Sequence, residues 1–156
     1  RDRAALFDAE ARASEDEGQV ICLDRSREAE FDAGWYEPNI LPPVARWMSR
    51  AGRVRFRAQS VSSIGLDLTS HIPDLSERPL GLELFLNGER LCALSLFRQG
   101  WLELKINVPE ILRRGDGGGF EFEICADRTW QPRPDAAENP DDRELSVAVC
   151  NLEIFP

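Results

Sequence analysis

An all-β fold, specifically an antiparallel β-sandwich, is what this sequence predicts, on three observations. Apolar side chains recur at every second position over several short stretches, as in strands with one face buried. Two such stretches flank Asn87-Gly88, a dipeptide whose tolerance of positive φ suits the tight turn of a hairpin. Beyond residue 18 no stretch sustains a helical period, and turn residues punctuate the chain at regular intervals. A jelly roll is the specific form expected.

The elements follow in chain order. Residues 1–18, "RDRAALFDAEARASEDEG", hold good helix formers with Leu6 and Phe7 as their only large apolar anchors. They read as a short helical or irregular extension, set apart from a sandwich domain over residues 19–156. "QVICLD" is the first expected strand. "RVRFRA" alternates Val54, Phe56 and Ala58 with Arg53, Arg55 and Arg57, and "SIGLDLTSHI" sets Ile64, Leu66 and Leu68 against Asp67, Thr69 and His71. "LGLELFLNGERLCALSLF" is the hairpin. "GWLELKINV" turns Leu102, Leu104, Ile106 and Val108 inward and Trp101, Glu103 and Lys105 outward. "PEILRRGDGGG" has room for one helical turn before its glycines end it. "FEFEICAD" and "RELSVAVCNLEIF" supply the last two strands. In the final one the apolar set slips from Leu145, Val147 and Val149 to Leu152 and Ile154, which predicts a bulge.

Composition bounds the function. The chain has 156 residues, enough for one domain with a proper core. Nineteen basic residues against 28 acidic give a net charge of −9, with the basic ones scattered. Such a field repels phosphate backbones and anionic lipid, so neither nucleic acid nor a membrane is an expected partner. No apolar run is long enough to cross a bilayer. The sequence begins with arginine, without a charged-then-apolar stretch ahead of a cleavage-like site, and is expected to be a piece of something longer. Cys22, Cys92, Cys125 and Cys150 form no CxxC pair and have no histidines at ligand spacing, so no metal site is expected. They read as buried free thiols, with one or more disulfides as the alternative; the former favours a reducing compartment.

Catalytic signatures are absent. His71 is the one histidine and lies at a strand end before Ile72-Pro73, whereas a triad, metal cluster or proton shuttle wants an imidazole held by a second group; it can bond a ligand hydroxyl or brace a loop. No nucleophile elbow or phosphate-cradling loop occurs, and no cofactor is expected. The 28 acids permit a glycosidase-like pair but do not identify one. Asp141 and Asp142 match no calcium-loop spacing.

The aromatics are more informative. Sugars lay their C–H faces on aromatic rings and their hydroxyls against planar charged forks, so a sugar site mixes the two. Trp35 and Tyr36 are adjacent and point in opposite directions if extended. Trp47 lies between Arg46 and Arg50, and Trp130 sits with Arg128 in "DRTWQPRPDAAENPDDRELSVAV", a long proline-rich connection. Tentative ligand-binding residues are therefore Trp35, Tyr36, Arg46, Trp47, His71, Arg128 and Trp130.

"GWYEP", "RWMSR", "HIPDLSERPLGLELFLNGE", "GWLEL", "DRTWQPRP" and "DDRELSVAV" together resemble β-sandwich modules associated with bacterial glycosyltransferases of surface-polysaccharide and glycoprotein assembly. The likeness covers about Asp32 to Ile154. It implies an accessory, non-catalytic domain of the galactose-binding-like or jelly-roll type that works in the cytoplasm beside a glycosyltransferase catalytic domain, in cis or in trans. The residues of the long connection allow two roles. Asp127, Arg128, Asp141, Asp142 and Arg143 can pair across its neck and lock it as a rigid corner with Trp130 packed down, or Arg128 and Trp130 can face a ligand. The expected function is carbohydrate binding. The alternative is a structural or protein-interaction domain that docks another domain or a second copy through apolar residues such as Phe85 and Trp101.

Overall fold

The computed structural model describes residues 19–20, 29–39, 44–138 and 140–156. The expected N-terminal extension, most of "QVICLD" and Cys22 lie outside the described residues. The strands are β1 (Gln19–Val20), β2 (Ala29–Phe31), β3 (Arg46–Trp47), β4 (Ala51–Arg57), β5 (Ser63–Thr69), β6 (Leu80–Leu86), β7 (Glu89–Leu96), β8 (Leu102–Asn107), β9 (Gly119–Ala126) and β10 (Ala148–Phe155). They form two antiparallel sheets, one ordered β1-β10-β5-β8 with β3 also on β10, the other β2-β4-β9-β6-β7. From β4 onward the chain passes repeatedly from one sheet to the other. The result is a jelly-roll β-sandwich.

Period-two burial builds the interior. In β4 the exposed arginines alternate with buried Gly52, Val54 and Phe56. β9 answers with Phe120, Phe122, Ile124 and Ala126, and Phe56 stacks on its register partner Phe120 at 5.5 Å. Leu80, Leu82, Leu84 and Leu86 complete that layer. Ile64, Leu66, Leu68, Val149, Leu152 and Ile154 face them from the other sheet.

Two bulges set the facing of side chains. The one expected in the last strand lies at Asn151, which takes φ 53° between Val149 and Leu152 and returns both to the core. The second was not legible in the alternation. The Asn87-Gly88 turn, at φ 50° and 83°, pairs Leu86 with Glu89, but the register shifts at Leu84/Phe85, so that Leu84 opposes Cys92. That shift turns Leu94 and Leu96 inward and leaves the small Ala93 and Ser95 outside. The "PEILRR" stretch forms a single 3-10 turn at Glu110–Leu112. Leu102, expected inside, is 38% exposed because β8 is an outer strand.

Phe122 is 1% exposed at the centre of this interior. Phe122→Ala leaves a cavity that the sheets cannot close. It is expected to cost about 3–5 kcal/mol in denaturant unfolding.

Candidate functional site

The residues singled out from the sequence divide into three groups. Trp35 belongs to the main core. Its indole lies over Gly52, where any Cβ would sit 2.6 Å from the ring, meets the Phe31 ring edge-on at 5.4 Å, and donates its Nε1–H to the Arg53 carbonyl at 3.1 Å. Arg46 stacks over Phe31 at 4.4 Å and donates from Nε to the Tyr36 carbonyl at 2.8 Å. Burial lowers the pKa of its guanidinium, against the opposing charge of Glu37.

A second group covers the outer face of β10. Trp47, 8% exposed, packs with Ala45, Leu145, Ala148 and Cys150, and Tyr36 and Trp130 rest on that small cluster. His71 meets the Trp47 ring at 4.9 Å, near perpendicular. The Tyr36 hydroxyl donates to the Glu144 carbonyl at 3.2 Å beneath the Arg143 guanidinium. Because these rings cover β10, the outward Thr69 beside Ala148 is buried, contrary to its expected exposure.

Arg128 forms the third group alone. It binds Asp74 at 3.0 Å and the Arg78 carbonyl, with its Nε enclosed and without an acceptor among the described residues. It therefore ties residues 74–78 to the end of β9 and does not close the neck of the long connection. The ends of that connection are joined by backbone bonds, Trp130 with Leu145 and Arg133 with Asp141. The forked pair forms within one side: Arg143 donates to both oxygens of Asp141 at 2.9 and 2.8 Å. Arg143 thereby holds the Asp141 carboxyl below the ordinary carboxylate range. In this arrangement Trp130 is packed down and the connection is a corner.

A depression of about 280 Å³ lies on the β1-β10-β5-β8 sheet beside Lys105 and Phe155. A larger groove lies on the outer face of the other, β2-β4-β9-β6-β7 sheet. Near β4 that face is closed by register-matched ion pairs, Arg53–Glu123 at 2.6 Å and Arg55–Glu121 at 3.0 Å. Toward β7 the floor drops. Glu83 stands between Cys125 and Ala93, and Gly81 stands beside Ser95, so small residues surround one carboxylate. Asp127 hangs over Gly81, where a Cβ would meet its Oδ2 at 2.8 Å. Arg50 reaches the Asp127 carbonyl at 3.3 Å, and Arg90 pairs with Glu83 at 3.4 Å. The groove holds about 610 Å³.

Ser95 also lines a second depression of about 400 Å³ with Phe97, Arg98, Gln99, Trp101 and Leu102. Phe97 continues the outward row of Ala93 and Ser95 and is 59% exposed; Trp101 is 48% exposed. Gln99 anchors this loop by donating to the His71 and Ile72 carbonyls, each at 3.3 Å. The two depressions share Ser95, with charged side chains in the first and, in the second, the exposed Trp101 ring and the Phe97 ring, over which the Arg98 guanidinium lies at 5.9 Å. The Cys125 thiol in the groove is pushed up to about 11 by burial, then by Glu123 and Glu83, and so stays protonated at neutral pH. Among the described residues Cys92, Cys125 and Cys150 are free thiols, and no cluster is placed to hold a metal ion.

The sequence matches no family model and no curated protein. Solved structures share the fold. The chain is similar to a salicylyl-acyltransferase, SsfX3, from a tetracycline biosynthetic pathway (11% identity, TM-score 0.53, 88% of this chain and 39% of that one). It is also similar to an acetyl xylan esterase from the rumen bacterium Butyrivibrio proteoclasticus (12%, 0.52, 90% and 33%). A third is the CBM22-1 xylan-binding domain of Paenibacillus barcinonensis Xyn10C (9%, 0.51, 89% and 95%). Several other matched chains are much longer, and this chain spans 15–31% of them.

Asp141→Asn removes the forked pair. With one partner solvent-screened, the expected loss is roughly 0.5–1 kcal/mol at neutral pH. Because the folded carboxyl is depressed, its stabilisation is full above the ordinary carboxylate range and fades as pH falls through the folded value. Unfolding followed from pH 7 downward should show the wild type converging on the variant in acid.

Proposed function

We propose that this chain is a non-catalytic carbohydrate-binding module whose ligand lies along the joined groove between Glu83 and Trp101. One observation carries the reading: Ser95 lines both the charged depression and the aromatic one. A sugar chain asks for that combination. Its hydroxyls both donate and accept, and so pair with the carboxylates of Glu83 and Asp127 and the guanidiniums of Arg50 and Arg90. Its C–H faces are apolar and stack on Trp101 and Phe97. The local charges balance in sign and the whole chain carries −9, which favours a neutral glycan over an acidic one. The fold shared with a xylan-binding domain over nearly all of that domain supports the same class of ligand.

The site is shallow and open, so polar desolvation offsets much of each hydrogen bond and the affinity is modest. The work done is retention. A glycan held on the module is kept at high effective concentration beside a catalytic domain. In the finer form of this reading the catalytic neighbour is a cytoplasmic glycosyltransferase of the kind that the sequence resembles, and the glycan is its acceptor. In the matched esterase and acyltransferase chains the region of this fold makes up 33% and 39% of the length.

Titration calorimetry with neutral oligosaccharides, xylo-oligosaccharides among them, tests the reading. Trp101→Ala is expected to weaken binding about tenfold. Gly81→Ala, which displaces Asp127, should weaken it with little effect on the strand spectrum. Trp130→Ala should leave affinity unchanged in the folded fraction. Failure of every neutral glycan to bind at millimolar concentration sinks the proposal.

A further inference from the structure

β8 is an outer strand: it pairs with β5 on one side, and among the described residues no strand lies on the other. Such an edge offers unpaired N–H and C=O groups to anything that can extend the ladder. Edges are usually blunted by proline, a bulge, an inward charge or charged side chains along the strand. β8 has no proline, bulge or inward charge; its register with β5 runs without a shift from Leu102 to Asn107, and its two charges, Glu103 and Lys105, lie on the outward face and are opposite in sign.

The side chains of β8 are complementary to themselves. Directly opposed residues in an antiparallel pair share a face, so a second copy can extend the sheet only in registers that keep both apolar faces on one side. Centred on Leu104, the pairing sets Glu103 opposite Lys105 of the second copy, Lys105 opposite its Glu103, and Leu102 opposite its Ile106. The adjacent permitted centres set Glu103 against Glu103 or Lys105 against Lys105. One register therefore matches charge and the neighbouring ones oppose it.

Among the described residues neither charge has an ionic partner. Glu103 stands opposite Asp67 of β5, a like charge, and Asp67 takes the Asn151 amide at 2.7 Å. Among the described residues no cation forms an ion pair with Glu103. Lys105 rests over the Phe155 ring at 4.3 Å with no described carboxylate in ion-pair range. Leu102 remains 38% exposed on the core side of this edge.

We propose that two copies of this chain associate through β8, antiparallel and centred on Leu104, so that their sheets join across a twofold axis. A ladder of six residues buries less than a standard stable interface, which makes the pair weak, concentration-dependent and salt-sensitive. The glycan reading plays no part in this argument.

Sedimentation velocity of the 156-residue chain from about 10 to about 500 µM tests it. The expected result is a monomer–dimer equilibrium. Glu103→Lys alone, or Lys105→Glu alone, should weaken association about tenfold or more. An equimolar mixture of the two single variants should recover it, as should the double variant Glu103→Lys/Lys105→Glu, because each restores opposite charges across the axis. Far-ultraviolet spectra confirm that each variant keeps its strands. A wild type that stays monomeric throughout overturns the proposal. So does a dimer that the single variants leave intact, or a charge swap that is folded yet fails to recover association.

Discussion

Side chains of alternate residues meet between two sheets, and the direction each one faces is fixed by that shared interior. Val54, Phe56, Phe120, Phe122 and Ile124 lie toward Leu66, Leu68, Val149 and Leu152, and no one of them can reverse without carrying its whole strand. Removing such a set from water is the dominant stabilisation, at roughly 1.5–3 kcal/mol for each large side chain before entropy is counted. The surface is therefore a consequence of the interior. Ala93 and Ser95 face out because Cys92 and Leu94 pack against the core and Leu96 is buried in it. Glu83 faces out because Leu82 and Leu84 do not. The groove is the outer image of the packing beneath it.

The two bulges show how fine that control is. At Asn151 an extra residue in positive φ lets one strand keep Val149 and Leu152 in the same core, while Cys150, alternate to Val149, packs with the outer Trp47 cluster. At Leu84/Phe85 the slip exchanges the facing of β7. Without it, the tight turn would turn Ala93 and Ser95 inward and Leu94 and Leu96 into water. Both bulges follow from the same preference for burying the larger apolar side chains.

Much of the fold was legible because strand alternation is a local signal. "RVRFR", "FEFEICA" and the Asn87-Gly88 hairpin carry their facing in consecutive residues. The slip at Asn151 was legible for the same reason, since the change of phase occurs within one strand. The bulge beside Leu84 was not, because it is defined by pairing between β6 and β7. The site was less legible still. Trp35, Trp47 and Trp130 are the residue types that a sugar surface uses, but large rings are also what fills the space above a sheet face, and the structure gives all three to packing. Gly81, Ala93, Ser95 and Cys125 carry no chemical signature in sequence; their meaning is that they are small and adjacent across three strands. Trp101 stood out as outward-facing, yet Phe97 gained significance only where the β7–β8 loop set both residues around one depression.

The proposed glycan surface runs from Asp127, Arg50, Glu83 and Arg90 over a low floor to the aromatic rings beyond Ser95. Backbone amide shifts recorded while a neutral oligosaccharide is titrated into the labelled chain test this most directly. The account predicts a continuous track of perturbed residues from Glu83 through Ser95 to Phe97 and Trp101. Perturbation confined to Tyr36, Trp47 and Trp130, or none at saturating sugar, would contradict it.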